Sequence, residues 1–320
     1  MDIESSAPAR IDLSGGAADL FGKCTLCCAI SLRTYTRMST ESTNTGVFME
    51  GTPTPLHTAP LIQAVIAQAH LRPSQFTLHI HSDIPPSSGL GGSAALGVSL
   101  LKGLSLLQKK DIPPHELAEQ TQRAESDLDR LNGYQDWYAA AFGGICFLDC
   151  RGKTPHPEED EPYATVENLT SYTSSLCFVV ADTQVAHDST LSNRHLYTAY
   201  MNGNEKIRSM IDLLDTITRD AKKALIWNDI ESLAQIVEKN QEIMRYFGRS
   251  LPENEQLIET ALRGGALACK VTGAGMGGCI AALCNGKTMQ HSVRDALLEE
   301  TDAVYPVRVD TGACATLLEE

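Results

Sequence analysis

The stretch "DIPPSSGLGGSAALGVSL", residues 83–100, places four glycines and four serines between a proline pair and an alanine- and leucine-rich run. The spacing predicts a flexible loop that runs directly into a helix beginning near Gly92. A helix start leaves its first N–H groups without intrahelical partners and carries the positive end of the helix dipole. Both features suit an anion, most naturally a phosphate. No Gly-Lys-Ser/Thr follows the glycines, so charge that the backbone does not meet calls for a metal ion and for a carboxylate further along the chain. A second glycine cluster closes the chain in "KVTGAGMGGCIAAL", residues 270–283. Gly89-x-Gly91-x-x-Ala94 and Gly273-x-Gly275-x-x-Gly278 both fit the dinucleotide fingerprint, but that motif needs a strand, a turn and a helix in immediate succession. The first is preceded by "DIPPSS" and the second is followed by the strand-like "CIAALC". A nicotinamide-dependent oxidoreductase is therefore disfavoured.

Outward from the loop, strand and helix signals alternate. "ARIDLS", "CTLCCAISLRTYTRMS" and "QFTLHIH" read as strands, and "APLIQAVIAQAHL" as an amphipathic helix. "SAALGVSLLKGLSLLQ" and "PPHELAEQTQRAESDLD" read as helices, "GYQDWYAAAFGG" as a break and restart, and "GICFLDC" and "SLCFVVAD" as strands. Helical periodicity runs from about Ser189 to Arg245 with breaks near Asn202 and Asn228, and the pattern ends in a helix around "MQHSVRDALLEE" and a final strand "AVYPVRV". Residues 152–175 are polar, acidic and proline-containing, which suggests a surface excursion near a domain junction. The expectation is an α+β protein of two domains, 1–174 and 175–320.

The net charge of −14 disfavours nucleic acid and anionic lipid as partners and favours a small molecule. No stretch approaches the roughly 20 apolar residues of a membrane span, and the N-terminus lacks a signal-like pattern, so a cytoplasmic location is expected. Ten cysteines include Cys24-Thr-Leu-Cys27, the spacing of a zinc or redox pair. There is no second pair and no nearby histidine, and Cys28, Cys146, Cys150, Cys177, Cys269, Cys279 and Cys284 lie in apolar segments. Buried reduced thiols are the better reading. His79 and His81 share a strand face, but two ligands make no metal site, so they default to structure.

"PPSSGLGGSAA" resembles the second motif of the GHMP kinases, the family of galactokinase, homoserine kinase, mevalonate kinase and phosphomevalonate kinase. "APARIDLSGGAAD" resembles their first motif and "KVTGAGMGGCIAAL" their third, in the right order and spanning the chain. The resemblance implies an N-terminal domain like the second domain of ribosomal protein S5 and a C-terminal ferredoxin-like α/β sandwich. It implies ATP and Mg²⁺ as cofactors, with the triphosphate wrapped by Pro86, Ser87, Ser88, Gly89, Leu90, Gly91, Gly92, Ser93 and Ala94. Gly273, Gly275 and Gly277 would form site architecture and nucleotide support. It further implies Ser93 and Glu125 as metal ligands, since the eleven positions from Glu125 to Asp136 match the metal-ligand Glu and catalytic Asp of mevalonate kinase-like sequences. Asp136, among Gln, Trp and Tyr that would partly desolvate it, takes the catalytic role, and Arg10 would stand beside it to hold it ionised and stabilise the transferring phosphoryl. Without the resemblance, Glu125 reads as an exposed helix carboxylate, Asp136 as a helix cap and Arg10 as an exposed strand residue.

The acceptor is read from Gly15-Gly16-Ala17-Ala18-Asp19. Galactokinase carries Gly-Glu-His-x-Asp here and mevalonate kinases usually show Glu-His, whereas this stretch looks like the Gly-Gly-x-x-Asp of heptose 7-phosphate kinases, fucokinase and arabinokinase. That resemblance implies a sugar or sugar phosphate phosphorylated at an anomeric hydroxyl, with Asp19, Gly15, Gly16 and Gln135 binding it. A mevalonate-pathway kinase or decarboxylase is the alternative within the fold. If the acceptor bears a phosphate, Arg33, Arg37 and Arg194 are candidates to meet it, and His187 stands where many relatives place Arg or Lys. A homodimer is left open.

Overall fold

The computed structural model describes residues 1–40, 45–128, 131–154, 163–173, 176–186 and 189–318. Its strands are β1 (Asp2–Ser14), β2 (Cys24–Ser39), β3 (Gly46–Met49), β4 (Thr52–Pro53), β5 (Thr77–Ser82), β6 (Ile145–Asp149), β7 (Thr165–Asn168), β8 (Leu176–Asp182), β9 (Ala268–Val271), β10 (Cys279–Asn285), β11 (Val304–Arg308) and β12 (Cys314–Leu318). Its helices are α1 (Pro60–Gln68), α2 (Gly92–Leu107), α3 (Pro114–Ser126), α4 (Gln135–Phe142), α5 (Ser189–Met201), α6 (Glu205–Ile226), α7 (Ile230–Tyr246), α8 (Pro252–Arg263) and α9 (Lys287–Leu297). "GYQDWYAAAFGG" thus contains a helix rather than a break, because "QDWYAAAF" has an acidic first turn and an alanine run before Gly143 at φ +68° ends it.

β2 organises the first sheet. It pairs with β1 along most of its length, with β6 over Cys24–Cys28 and with β5 over Thr34–Ser39. Its sequence tracks its surroundings: "CTLCCAI" is buried throughout, as an apolar run must be where both faces are covered, while beyond Ile30 burial becomes mixed. Cys24 and Cys27 lie three apart on this strand and so face opposite ways, and all ten cysteines are free, nine of them buried. Burial pushes the Cys24 thiol up to about 12 and the Cys27 and Cys28 thiols well above their ordinary range. Helices α1–α4 cover one face of the sheet, around Leu61, Val98, Leu101, Leu117, Tyr138 and Leu148.

The second sheet is fully antiparallel in the order β11-β8-β10-β9. With the helices after β8 and the helix α9 before β11, it is the βαββαβ arrangement of a ferredoxin-like sandwich. The "AVYPVRV" strand is not the last: the chain returns and β12 pairs antiparallel with β1 at the edge of the first sheet. Arg33, weighed above as a phosphate receptor, fastens this return, donating to Asp310, to the carbonyls of Thr311 and Gly312 and to Ser6. The two sheets share a core in which Ile11, Leu13, Leu26 and Phe147 meet Phe178, Leu225, Leu233, Val237 and Leu283.

Candidate active site

A cleft of about 770 Å³ opens between the two halves. Of the residues singled out in the sequence, it is lined by Arg10, Asp19, Pro86, Ser87, Ser88, Gly89, Gly91, Gly92, Ser93, Ala94, Glu125, Gln135, Asp136 and Gly273. Strand alternation explains how β1 contributes: Ala9, Ile11 and Leu13 enter the shared core, which turns Arg10 and Asp12 to the other face. Both are buried polar residues, and each has a carboxylate or cation waiting for it.

Arg10 donates Nε to Asp136 Oδ1 at 2.7 Å and Nη2 to Asp136 Oδ2 at 2.9 Å, a two-point fork that fixes the carboxylate plane. Its Nη1 donates to the carbonyl of Gly89 in the glycine loop, and its backbone N–H to the carbonyl of Leu90. The side chain of Asp136 remains 26% accessible, so the pair faces the cleft rather than the core. Gly91, the residue before α2, adopts φ +75°, and a Cβ there would sit 3.3 Å from Arg10 Cγ and 3.6 Å from Asp136 Oδ2. The start of α2 and the Arg10–Asp136 pair therefore lie so close that a methyl group at Gly91 would touch both. Leu90 takes part in the loop through its backbone, while its side chain is 1% exposed and packs into the shared core.

Asp12 works on the other glycine cluster. It accepts from Lys270 Nζ, Thr272 Oγ1 and the backbone N–H of Gly273. Burial alone would raise this carboxyl, but Lys270 and Arg10 hold it below its ordinary value. Gly273 packs on the first loop, since a Cβ there would lie 2.5 Å from the Gly89 carbonyl, and the N–H of Cys279 donates to the Ser88 carbonyl at 2.8 Å. Gly275 and Gly277 do not reach the cleft. A Cβ at Gly275 would fall 2.1 Å from the Arg249 carbonyl and one at Gly277 2.5 Å from the Val185 carbonyl, so both serve the architecture around the cleft.

The first motif divides similarly. Asp19 lies in the cleft wall and accepts from the N–H groups of Tyr134, Gln135 and Leu20. Desolvation raises its carboxyl to about 6 against the pull of those N–H groups, with the Asp136 charge adding to the rise. Gly133 stacks directly on it: a Cβ there would fall 2.1 Å from the carboxylate. Gly15 and Gly16 do not line the cleft; Gly15 donates to Asn240, and the Gly16 carbonyl receives Gln135 Nε2 at 3.0 Å. Gly16 thereby supports the cleft wall that carries Gln135. Glu125 is not an exposed helix carboxylate, being 2% exposed at the cleft edge of α3, while Ser93 is exposed in the first turn of α2.

Among the described residues no group of three His, Cys, Asp or Glu could hold a metal by itself. A hydroxyl and a carboxylate are nonetheless hard oxygen donors of the kind Mg²⁺ takes alongside waters and phosphate oxygens. Arg37 pairs with Asp2 at the surface, Arg194 is exposed, and neither lines the cleft. His187 lies outside the described residues. The cation that sequence reasoning missed is Arg249, which lines the cleft with Thr190 and Asn193 of the C-terminal half. Nothing in "YFGRSLP" marks it, because its importance comes from burial and from contacts over 50 positions away.

The geometry defines a two-lobed protein with a polar cleft lined by a glycine loop and a helix start, and comparison with known proteins identifies it further. Residues 60–144 match the model of the GHMP kinases N-terminal domain and residues 221–302 that of the GHMP kinases C-terminal domain. The chain belongs to the GHMP kinase family. It is 27% identical over 293 residues to the mevalonate kinase of Methanothermobacter thermautotrophicus, covering 89% of this chain and 91% of that one. It is 29% identical over 213 residues to the D-glycero-alpha-D-manno-heptose 7-phosphate kinase of Campylobacter jejuni, covering 65% and 60%. The crystal structure of L. major mevalonate kinase with R-mevalonate superposes with a TM-score of 0.79 at 20% identity, over 96% of each chain.

Proposed function

We propose that the protein transfers the γ-phosphoryl group of ATP to a hydroxyl, most readily the anomeric one, of a sugar or sugar phosphate. The observation that carries this reading is the polar wall of the cleft: Asp19, together with Gln135 Oε1 and Trp137 Nε1, both buried and without a partner among the described residues, offers hydrogen-bonding groups to a polyhydroxylated acceptor. Buried polar atoms left without partners are rare in folded proteins, and a ligand that supplies the partners is the economical reason for them. The small residue Ala17 lines the cleft near Asp19 and takes up little of its space.

In this reading, residues 86–94 hold the phosphate chain through loop N–H groups and the first turn of α2. Ser93 and Glu125 would hold Mg²⁺, which when bound neutralises charge on the phosphates. Asp136, kept in plane by Arg10, orients the acceptor hydroxyl and takes its proton as that oxygen bonds to the γ-phosphorus. The bond from the γ-phosphorus to the bridging oxygen breaks, and ADP leaves with the electron pair. Arg10, already anchored to Gly89, adds positive charge where the phosphoryl group travels. Ten unpaired cysteines and a dependence on ATP fit the reducing, nucleotide-rich cytoplasm.

A second reading, a mevalonate kinase, is favoured by the 27% identity to the archaeal enzyme over nearly its whole length. ADP release measured with free sugars, sugar 7-phosphates and mevalonate as separate acceptors decides between them. Turnover with a sugar or sugar phosphate is the expected result. Turnover with mevalonate alone overturns the sugar reading, and binding of nucleotide with no acceptor that stimulates ADP release overturns the enzyme reading.

A further inference from the structure

We infer that Arg249 is the receptor for an oxyanion carried by the acceptor substrate, a phosphate or a carboxylate remote from the hydroxyl that is phosphorylated. The inference rests on the kinase reading above and names what its acceptor must carry.

Arg249 is among the most deeply buried large side chains of the protein, 2% exposed, yet it lines the cleft. Its Nη2 donates to the Ser192 carbonyl and to Asn193 Oδ1, both at 3.1 Å, which anchors the guanidinium to α5. Its Nη1 is buried and has no hydrogen-bond partner among the described residues. Among the described residues no carboxylate forms an ion pair with it, although Asp12 and Asp19 are near enough for their charges to favour its protonated form. Burial outweighs them and lowers the guanidinium to about 10, still charged at neutral pH. A charged donor kept from water without a counter-ion is costly to bury, so a fold that retains one at a binding cleft is expected to gain from a ligand that satisfies it.

The cleft's other charges leave this one over. Arg10 is spent on Asp136, and Lys270 on Asp12. Arg249 is the arginine or lysine of the cleft lining, among the described residues, that pairs with no carboxylate. Its backbone is also fixed with unusual care for a loop residue. Gly248 at φ +70° turns the chain out of α7, the Arg249 N–H donates to the Met244 carbonyl, and its carbonyl receives the N–H of Met276 beneath the room left by Gly275. The third glycine motif thus holds Arg249 in place. Its neighbours Asp19, Thr190 and Asn193 place it on the acceptor wall rather than in the loop of residues 86–94.

The test is steady-state kinetics on the whole protein and on Arg249→Gln and Arg249→Lys, with a heptose 7-phosphate, the same heptose without its phosphate, and mevalonate as acceptors. Wild type is expected to prefer an oxyanion-bearing acceptor. Arg249→Gln is expected to raise the KM for that acceptor ~10–100-fold while changing the KM for ATP less than about threefold, and Arg249→Lys to raise it less, because the point charge survives without the fork. A preference for mevalonate overturns the sugar reading but supports the oxyanion receptor, with a carboxylate as the group received. Equal use of the heptose with and without phosphate overturns the receptor while the sugar reading stands. A rise in the KM for ATP in place of the acceptor's also overturns it. Should both variants fail to fold, inorganic phosphate titrated against wild type gives the answer: inhibition competitive with the acceptor supports the receptor, and inhibition competitive only with ATP, or none, overturns it.

Discussion

At the scale of single residues, the Arg10–Asp136 fork and the buried Asp19 make separable claims. Asp136→Asn keeps the shape but loses the negative charge that Arg10 holds at 2.7 and 2.9 Å. Turnover is expected to fall ~10²–10⁴-fold with the KM for ATP nearly unchanged, read by ADP release, and an unchanged turnover removes Asp136 from the chemistry. Asp19 has its carboxyl raised to about 6, so between pH 4 and 6 the folded chain binds a proton that the unfolded chain has released. Its contribution to stability is therefore lost as pH rises through that window. The denaturation midpoint of Asp19→Asn relative to wild type is expected to improve from pH 4.5 to pH 7.5, because only wild type must then bury the charge. That Arg10, Asp19 and Asp136 line the cleft was legible from their places in short motifs, and Glu125 from its eleven-position spacing to Asp136. Arg249 was not, since its neighbours Ser192 and Asn193 lie in another helix and no local pattern encodes that meeting.

At the scale of elements, the two glycine motifs form one device. Gly273 fits against Gly89 with no space for a methyl group, at a φ of +70° that already disfavours any side chain. Gly273→Ala is expected to push the loop of residues 86–94 away from Arg10, raising the KM for ATP several-fold and destabilising the fold by about 1–3 kcal/mol, measured by kinetics and chemical denaturation together. Gly133→Ala presses on the Asp19 carboxylate instead, so its larger effect is expected on the acceptor's KM. The main helices and strands, and the helix breaks near 202 and 228, follow from periodicity that each segment carries within itself. The α4 helix was missed because eight residues are too short for a clear period. Edge strand β12 was missed because its burial pattern is nearly all exposed or intermediate, and pairing with β1 is what makes it a strand.

At the scale of the whole molecule, the division into 1–174 and 175–320 stands as a proposal about folding units, and the structure sets its terms. Residues 1–174 alone would lack β12, leave Arg33 without the carbonyls and Asp310 that it binds, and expose the face carrying Ile11, Leu13, Leu26 and Phe147. One cooperative unfolding transition is expected for the whole chain. Leu225→Ala in the shared core is expected to cost about 2–5 kcal/mol and to move circular dichroism and intrinsic fluorescence together. Two separated transitions would show that the halves fold independently.

The loop of residues 86–94 is clamped by groups from both halves, Arg10 on one side and Gly273 and Cys279 on the other, whereas the wall proposed to face the acceptor draws Thr190, Asn193 and Arg249 from α5 and the turn after α7. Substitutions in α5 and in that turn can therefore change which molecule is accepted while the donor grip is inherited intact. A lineage built on this plan can exchange one metabolite for another without having to reinvent its use of ATP.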